Sequence, residues 1–94
     1  MINLEKIYKD AIKLWGKKSQ VLMCVEECSE LQKNLLHDLR LERSVKREDI
    51  LEEIVDVQIM LDQMQIIYGI TWIEFDLKKC EKLRRLIGRI KEGL

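Results

Sequence analysis

Residues 50–69 read Ile50-Leu51-Glu52-Glu53-Ile54-Val55-Asp56-Val57-Gln58-Ile59-Met60-Leu61-Asp62-Gln63-Met64-Gln65-Ile66-Ile67-Tyr68-Gly69. Strand-like alternation is absent. Ile50, Ile54, Val57, Leu61, Met64 and Tyr68 recur at three- and four-residue spacing, which predicts one helix from about Arg47 to Tyr68, stopped at Gly69. A second strip carries Asp49, Glu53, Asp56, Met60 and Gln63, and a third side holds Leu51, Val55, Ile59 and Ile66. A helix that is apolar on most sides is a central one, packed on more than one partner. Its acidic strip is therefore expected to face protein or ligand rather than bulk water, although a buried unpaired anion is costly.

Upstream, Glu26-Glu27-Cys28-Ser29-Glu30 places a second set of carboxylates in an apolar segment. Like charges three or four residues apart repel and weaken the helix that carries them. Two such sets imply a cation for them to hold. The helix around this set is predicted from Ser19, as its cap, to about Leu39 or Arg40, with Val21, Cys24, Val25, Cys28, Leu31, Leu35 and Leu39 as its apolar stripe. At 100° per residue, Glu27 lies at the stripe's edge, whereas Glu26 and Glu30 lie nearly opposite.

Outside this pair, Leu4, Ile7, Tyr8, Ala11, Ile12 and Trp15 mark a first helix between Asn3, as N-cap, and Gly16. A polar connection, Leu41 to Lys46, is long enough to reverse the chain. Thr71 and Glu74 form a capping-box pattern for a fourth helix. That helix would turn Ile73, Leu77, Cys80, Leu83 or Leu86-Ile87, and Ile90 toward the core. The expected fold is all-α: one domain over residues 1–94, a four-helix antiparallel bundle.

Composition narrows the function. Hydrophobic residues make up 47% of the 94-residue chain, too many for a disordered segment. Seventeen basic residues balance seventeen acidic ones, so neither a nucleic-acid polymer nor an anionic membrane is an expected partner. No apolar run approaches the ~18 residues of a membrane helix, and Met1-Ile2-Asn3-Leu4-Glu5 does not open a signal peptide. Cys24, Cys28 and Cys80 form no CxxC pair and read as reduced core residues of a cytosolic protein. His37 is the only histidine, and no Glu-x-x-His pair is present, which excludes the helical di-iron pattern. Carboxylates without histidine or thiolate partners suit Mg²⁺, or Mn²⁺, better than zinc or copper.

Glu26-Glu27-x-x-Glu30, followed after 22 intervening residues by Glu53-x-x-Asp56, resembles the EExxE…ExxD signature of the MazG-like all-α nucleotide pyrophosphohydrolases. Trp15-Gly16-x-x-x-Gln20 resembles the entry to that family's first metal helix, and Val57 to Gly69 the helix end after the second motif. Lys82-x-x-Arg85-Leu86 resembles the basic last helix of its short bacterial and phage-encoded members. The resemblance implies Glu27, Glu30, Glu53 and Asp56 as Mg²⁺ ligands, with catalytic Glu26 supporting them or orienting a water. It implies hydrolysis of a nucleoside triphosphate to the monophosphate and pyrophosphate in a homodimer or homotetramer in the cytoplasm. Lys82 and Arg85, in their own or a neighbouring subunit, would meet the phosphate tail. Trp15, Gln20 and Gln63 are candidates to meet the base. The competing expectation is a non-catalytic helical interaction or nucleotide-binding module of the same descent, and metal binding with pyrophosphate release separates the two.

Overall fold

The structure, a computed structural model, describes residues 2–41 and 44–94. Met1, and Glu42 and Arg43 of the expected polar connection, lie outside the described residues. Four helices follow in order: α1 (Leu4–Trp15), α2 (Lys17–Arg40), α3 (Arg47–Ile67) and α4 (Trp72–Gly93). Among the described residues there is no strand, and no helix is long and apolar enough to cross a membrane.

Local chemistry sets most of the helix ends. Asn3 caps α1, its Oδ1 accepting from the Lys6 N–H at 3.1 Å. Gly16 closes α1 by donating its N–H to the Ile12 carbonyl at 2.8 Å. Its own carbonyl accepts from the Gln20 N–H at 3.1 Å, so the same residue opens α2. Ser19 therefore lies inside α2 and does not cap it. Glycine at φ 90°, ψ 154° turns the chain in one residue, and no side-chain cap is used. At the start of α3 the Lys46 N–H donates to Asp49 Oδ2 at 3.0 Å. The Thr71–Glu74 box forms at α4: Thr71 Oγ1 accepts from the Glu74 N–H at 3.1 Å, and Glu74 Oε2 accepts from the Thr71 N–H at 3.0 Å.

Helices α2 and α3 form the main packed pair. Gln20 Nε2 donates to Gln63 Oε1 across their seam at 2.7 Å, and both side chains are buried. Seven residues along α2, Glu27 meets Asp56, seven residues back along α3, so the helices run antiparallel. The strip Asp49, Glu53, Asp56, Met60, Gln63 thus lies on the α2 side of α3; Met60 and Gln63 are buried and Glu53 half-buried, but Asp49 and Asp56 are exposed to water, contrary to the expectation for the acidic strip. Helix α1 is fixed to α3 by Tyr8, whose hydroxyl donates to Asp62 Oδ2 at 3.2 Å while Gln58 Nε2 donates to Asp62 Oδ1 at 3.1 Å. Burial and the Asp62 carboxylate hold the Tyr8 phenol above its ordinary pKa.

Two expectations about the core are corrected. Helix α4 packs against none of the other three, and Ile73, Leu77, Cys80, Leu83, Leu86, Ile87 and Ile90 are all exposed. Cys24 is buried and Cys28 half-buried, but Cys80 is exposed, and all three are free thiols. The link is short, with Gly69 at φ 65° and the Ile70 N–H bonded to the Gln65 carbonyl, and it does not return α4 to the pair. The radius of gyration is consequently 16.6 Å, where a compact chain of this length has about 12 Å.

Nothing lies within 4 Å of the place a Gly16 Cβ would occupy, so strain at that position is purely that of the backbone. Gly16→Ala is expected to destabilise the fold by about 1–3 kcal/mol, measured by urea denaturation. Ser19→Ala is expected to change stability by less than about 0.5 kcal/mol, since Ser19 caps nothing.

Candidate metal centre

Spacing and the antiparallel pairing together assemble the carboxylates. Glu53 and Asp56 are three apart on the face of α3 that meets α2, and Glu27 is on the facing strip of α2 with Gln20, Cys24 and Asn34. One carboxylate oxygen from each of Glu27, Glu53 and Asp56 lies within 4.8 Å of the others. Opposite oxygens on an octahedral Mg²⁺ stand about 4.2 Å apart, twice its oxygen distance. The cluster therefore fits a small divalent cation with modest side-chain adjustment. Glu27 and Glu53 are half-buried and Asp56 is exposed, so one side of the cluster is open to water or a ligand.

The electrostatics agree with a cation-binding reading. Partial burial pushes the Glu27 carboxyl above the ordinary carboxylate range, and Asp56, Glu53, Glu30 and Glu26 push it further. Partial burial also raises Glu53, with Asp56, Glu30, Glu52 and Asp49 adding to the effect. Glu53 Oε2 is buried without a hydrogen-bond partner. A buried acceptor without a donor beside other anions is a destabilising arrangement that a bound cation relieves.

The other residues singled out in the sequence are distributed around this cluster. Glu30 is exposed and is not one of the three converging carboxylates. It borders an adjoining polar cavity of about 330 Å³ with Asn34, Ser44, Asp49, Glu52 and Glu53. Glu26 is exposed on the neighbouring face of α2, close enough for its charge to act on Glu27. Trp15 is 61% exposed and shares a separate cavity of about 220 Å³ with Ser19, Gln20 and Met23. Gln20 and Gln63 are buried and bonded to each other, which makes them the lock of the α2–α3 seam. Lys82 and Arg85 are exposed on α4, and the fold of a single chain does not bring α4 against α2 or α3.

Asn34 was not singled out from the sequence. It is buried at the seam and lines the acidic cavity one helical turn beyond Glu30. Its distance of seven residues from Glu27 is the signal that could have marked it, since both fall on one helical strip. Comparison with family models, with curated proteins and with solved structures finds no match.

A carboxyl whose pKa is higher in the folded chain than in the unfolded one binds its proton more tightly when folded. Its contribution to stability is complete below the unfolded pKa and is lost as pH rises through the folded one. Metal-free protein is thus expected to melt at higher temperature as pH is lowered from 7 toward 4.5, the ordinary value for Glu27 and Glu53. The lowered pKa values of the exposed, lysine-paired Glu5 and Glu81 act only below that window. Glu53→Gln removes one repelling charge and is expected to raise the metal-free melting temperature at pH 7. If the cluster holds a divalent ion, Mg²⁺ is expected to raise the melting temperature of the unsubstituted chain and to raise that of Glu53→Gln less; both effects are read by calorimetric melting with and without the ion.

Proposed function

We propose that the chain is a Mg²⁺-dependent nucleoside triphosphate pyrophosphohydrolase acting as a homodimer or homotetramer, with a MazG-like fold. The observation that carries this reading is the convergence of Glu27, Glu53 and Asp56 at the seam of two antiparallel helices. The EExxE…ExxD spacing adds to it, because a lone acidic helix face is common and two faces that meet are not.

In this reading Glu27, Glu53 and Asp56 hold the divalent ion, and Glu30 completes the set from the edge of the adjoining cavity. A bound Mg²⁺ supplies charge neutralisation for phosphate oxygens and acidifies water. Glu26 orients the attacking water and accepts its proton. Attack at the α-phosphorus breaks the bond to the α–β bridging oxygen and leaves a nucleoside monophosphate and pyrophosphate. An acid-lined cavity repels a bare polyphosphate, so the tail requires cations of its own. Lys82 and Arg85, delivered by a neighbouring subunit, meet that need. Trp15, with its exposed ring beside the buried Gln20, is the surface offered to the base.

The experiment is a panel of ribo- and deoxyribonucleoside triphosphates with Mg²⁺ or Mn²⁺, read as pyrophosphate and monophosphate release. Asp56→Asn and Glu53→Gln are expected to lower turnover by more than about 100-fold, beyond the 10–100-fold typical of groups that only support a ligand. Glu26→Gln, which removes the proton acceptor in this reading, is expected to lower turnover by about 100- to 10,000-fold. Absence of release from every nucleotide, together with absence of metal binding by calorimetry, would leave the non-catalytic interaction module as the reading.

A further inference from the structure

We propose that α4 is an exchanged arm, seated in the apolar groove between α2 and α3 of a second copy of this chain. The inference rests on the homo-oligomeric assembly proposed above, not on the reaction, and it names the surfaces that meet.

The chain exposes 8032 Å², whereas a folded monomer of 11.3 kDa exposes about 5700 Å². The excess, about 2300 Å² per chain, is well above the ~800 Å² that each partner contributes to a standard interface. Exposed apolar side chains occur on all four helices, including Leu14 and Trp15 of α1 and Leu51, Val55 and Ile59 on the other flank of α3, but two of the surfaces match each other in length and charge. The first is α4, where Leu77, Leu83, Leu86, Ile87 and Ile90 are between 46% and 67% exposed. The second is one side of the α2–α3 pair.

That side follows from helical geometry. Viewed from one end, antiparallel helices wind in opposite senses, so residues at equal angles from the seam lie on the same side of the pair. On α2, Val21, Val25, Cys28 and Leu39 fall on one flank of the strip that faces α3. On α3, Ile50, Ile54, Val57 and Leu61 fall on the corresponding flank. The two stripes therefore border one groove, while Glu26 and Glu30 fall on the other side. Within the groove Val25 is 57%, Leu39 79%, Ile54 51% and Leu61 44% exposed. It is built for an occupant that its own chain does not supply.

Helix α4 has the dimensions and shape for it. From Ile73 to Ile90 its apolar row runs about 26 Å, and Val21 to Leu39 and Ile50 to Tyr68 each run about 27 Å. The row covers about 180° of α4 at 100° per residue, wider than the narrow seam of a two-helix coiled coil. A face that wide is covered by two helices side by side, which a groove provides and a second α4 does not. Charge favours the same pairing. Helix α3 carries six acidic residues and one basic, and α4 carries seven basic and four acidic, so α4 is attracted to another copy's α3 and repelled by another α4.

The mid-points of the two surfaces carry cysteines, Cys80 on α4 and Cys28 in the groove, and these supply the test. One variant keeps only Cys28 (Cys24→Ala, Cys80→Ser) and another keeps only Cys80 (Cys24→Ala, Cys28→Ser). The two are co-expressed, or expressed singly, and treated with a short bis-maleimide, with mass measured by light scattering before treatment. The expected result is an oligomer in every sample and a covalent dimer abundant only in the mixture. Self-cross-linking of the Cys80-only chain would show α4 against α4, and self-cross-linking of the Cys28-only chain would show groove against groove. Either result overturns the exchange while leaving the assembly intact. A monomer at all concentrations overturns the assembly itself. Hydrogen exchange on the unsubstituted protein gives a readout independent of the variants. The α4 amides are expected to exchange more slowly as protein concentration rises, and concentration-independent, rapid exchange overturns the proposal.

Discussion

Three carboxylates held within 4.8 Å of one another where two helices pack is the constraint around which this molecule is arranged. Like charges at that distance, partly shielded from water, oppose the pairing that brings them together. The pair survives because the seam is closed above the cluster by contacts of another kind. There the Gln20–Gln63 bond, the buried Cys24 and the buried Met60, within reach of the Gln63 amide, form a polar and sulfur-lined lock. The same register that makes the Gln20–Gln63 bond places Glu27 opposite Asp56. A slip of one turn would lose the lock and separate the acids together. Register and site are thus one property of the α2–α3 pair.

Placing polar and acidic side chains in the seam has a consequence for the rest of the chain. The aliphatic residues of α2 and α3 cannot occupy the same strip, so they are displaced to the flanks. Helix α1 covers one end of the pair through Tyr8 and the Asp62 carboxylate. The opposite flank, with Val25, Leu39, Ile54 and Leu61, is left open, and α4 does not cover it. A small helical domain ordinarily spends its apolar residues on its own core. Here the seam of the main helix pair holds a half-buried charged cluster, open on one side, and much apolar surface stays exposed. The proposed cation binding and the proposed assembly would each relieve one part of this arrangement.

Features governed by nearest neighbours could be read directly from the residue order. The Asn3 cap, the Thr71–Glu74 box and the stops at Gly16 and Gly69 each depend on atoms within a few residues. The four helices therefore appear nearly where periodicity puts them. Ser19 is the exception: its suitability as a cap is outranked by the backbone freedom of Gly16, a preference that a capping pattern does not weigh. Glu53 could be read as facing something other than water because the remaining sides of its helix are apolar. Asn34 could not be, since an asparagine in a polar stretch is ordinary until the partner helix is in place.

The chain by itself determined that the protein is helical, that two acidic strips recur at helical spacing, and that α4 has one broad apolar side. Each is a periodicity, and periodicity is written in the order of residues. Only the tertiary structure decided that Glu27, Glu53 and Asp56 meet while Glu30 stands at the rim, because that depends on the register of one helix against another. It also decided that Gln20 and Gln63 bond to each other and that the apolar side of α4 turns away from its own chain. A hydrophobic stripe specifies that something must cover it, but the effect has no direction and no memory of connectivity. The link at Gly69 and the placement of the helices around it leave the α4 stripe uncovered by α1, α2 or α3 of its own chain.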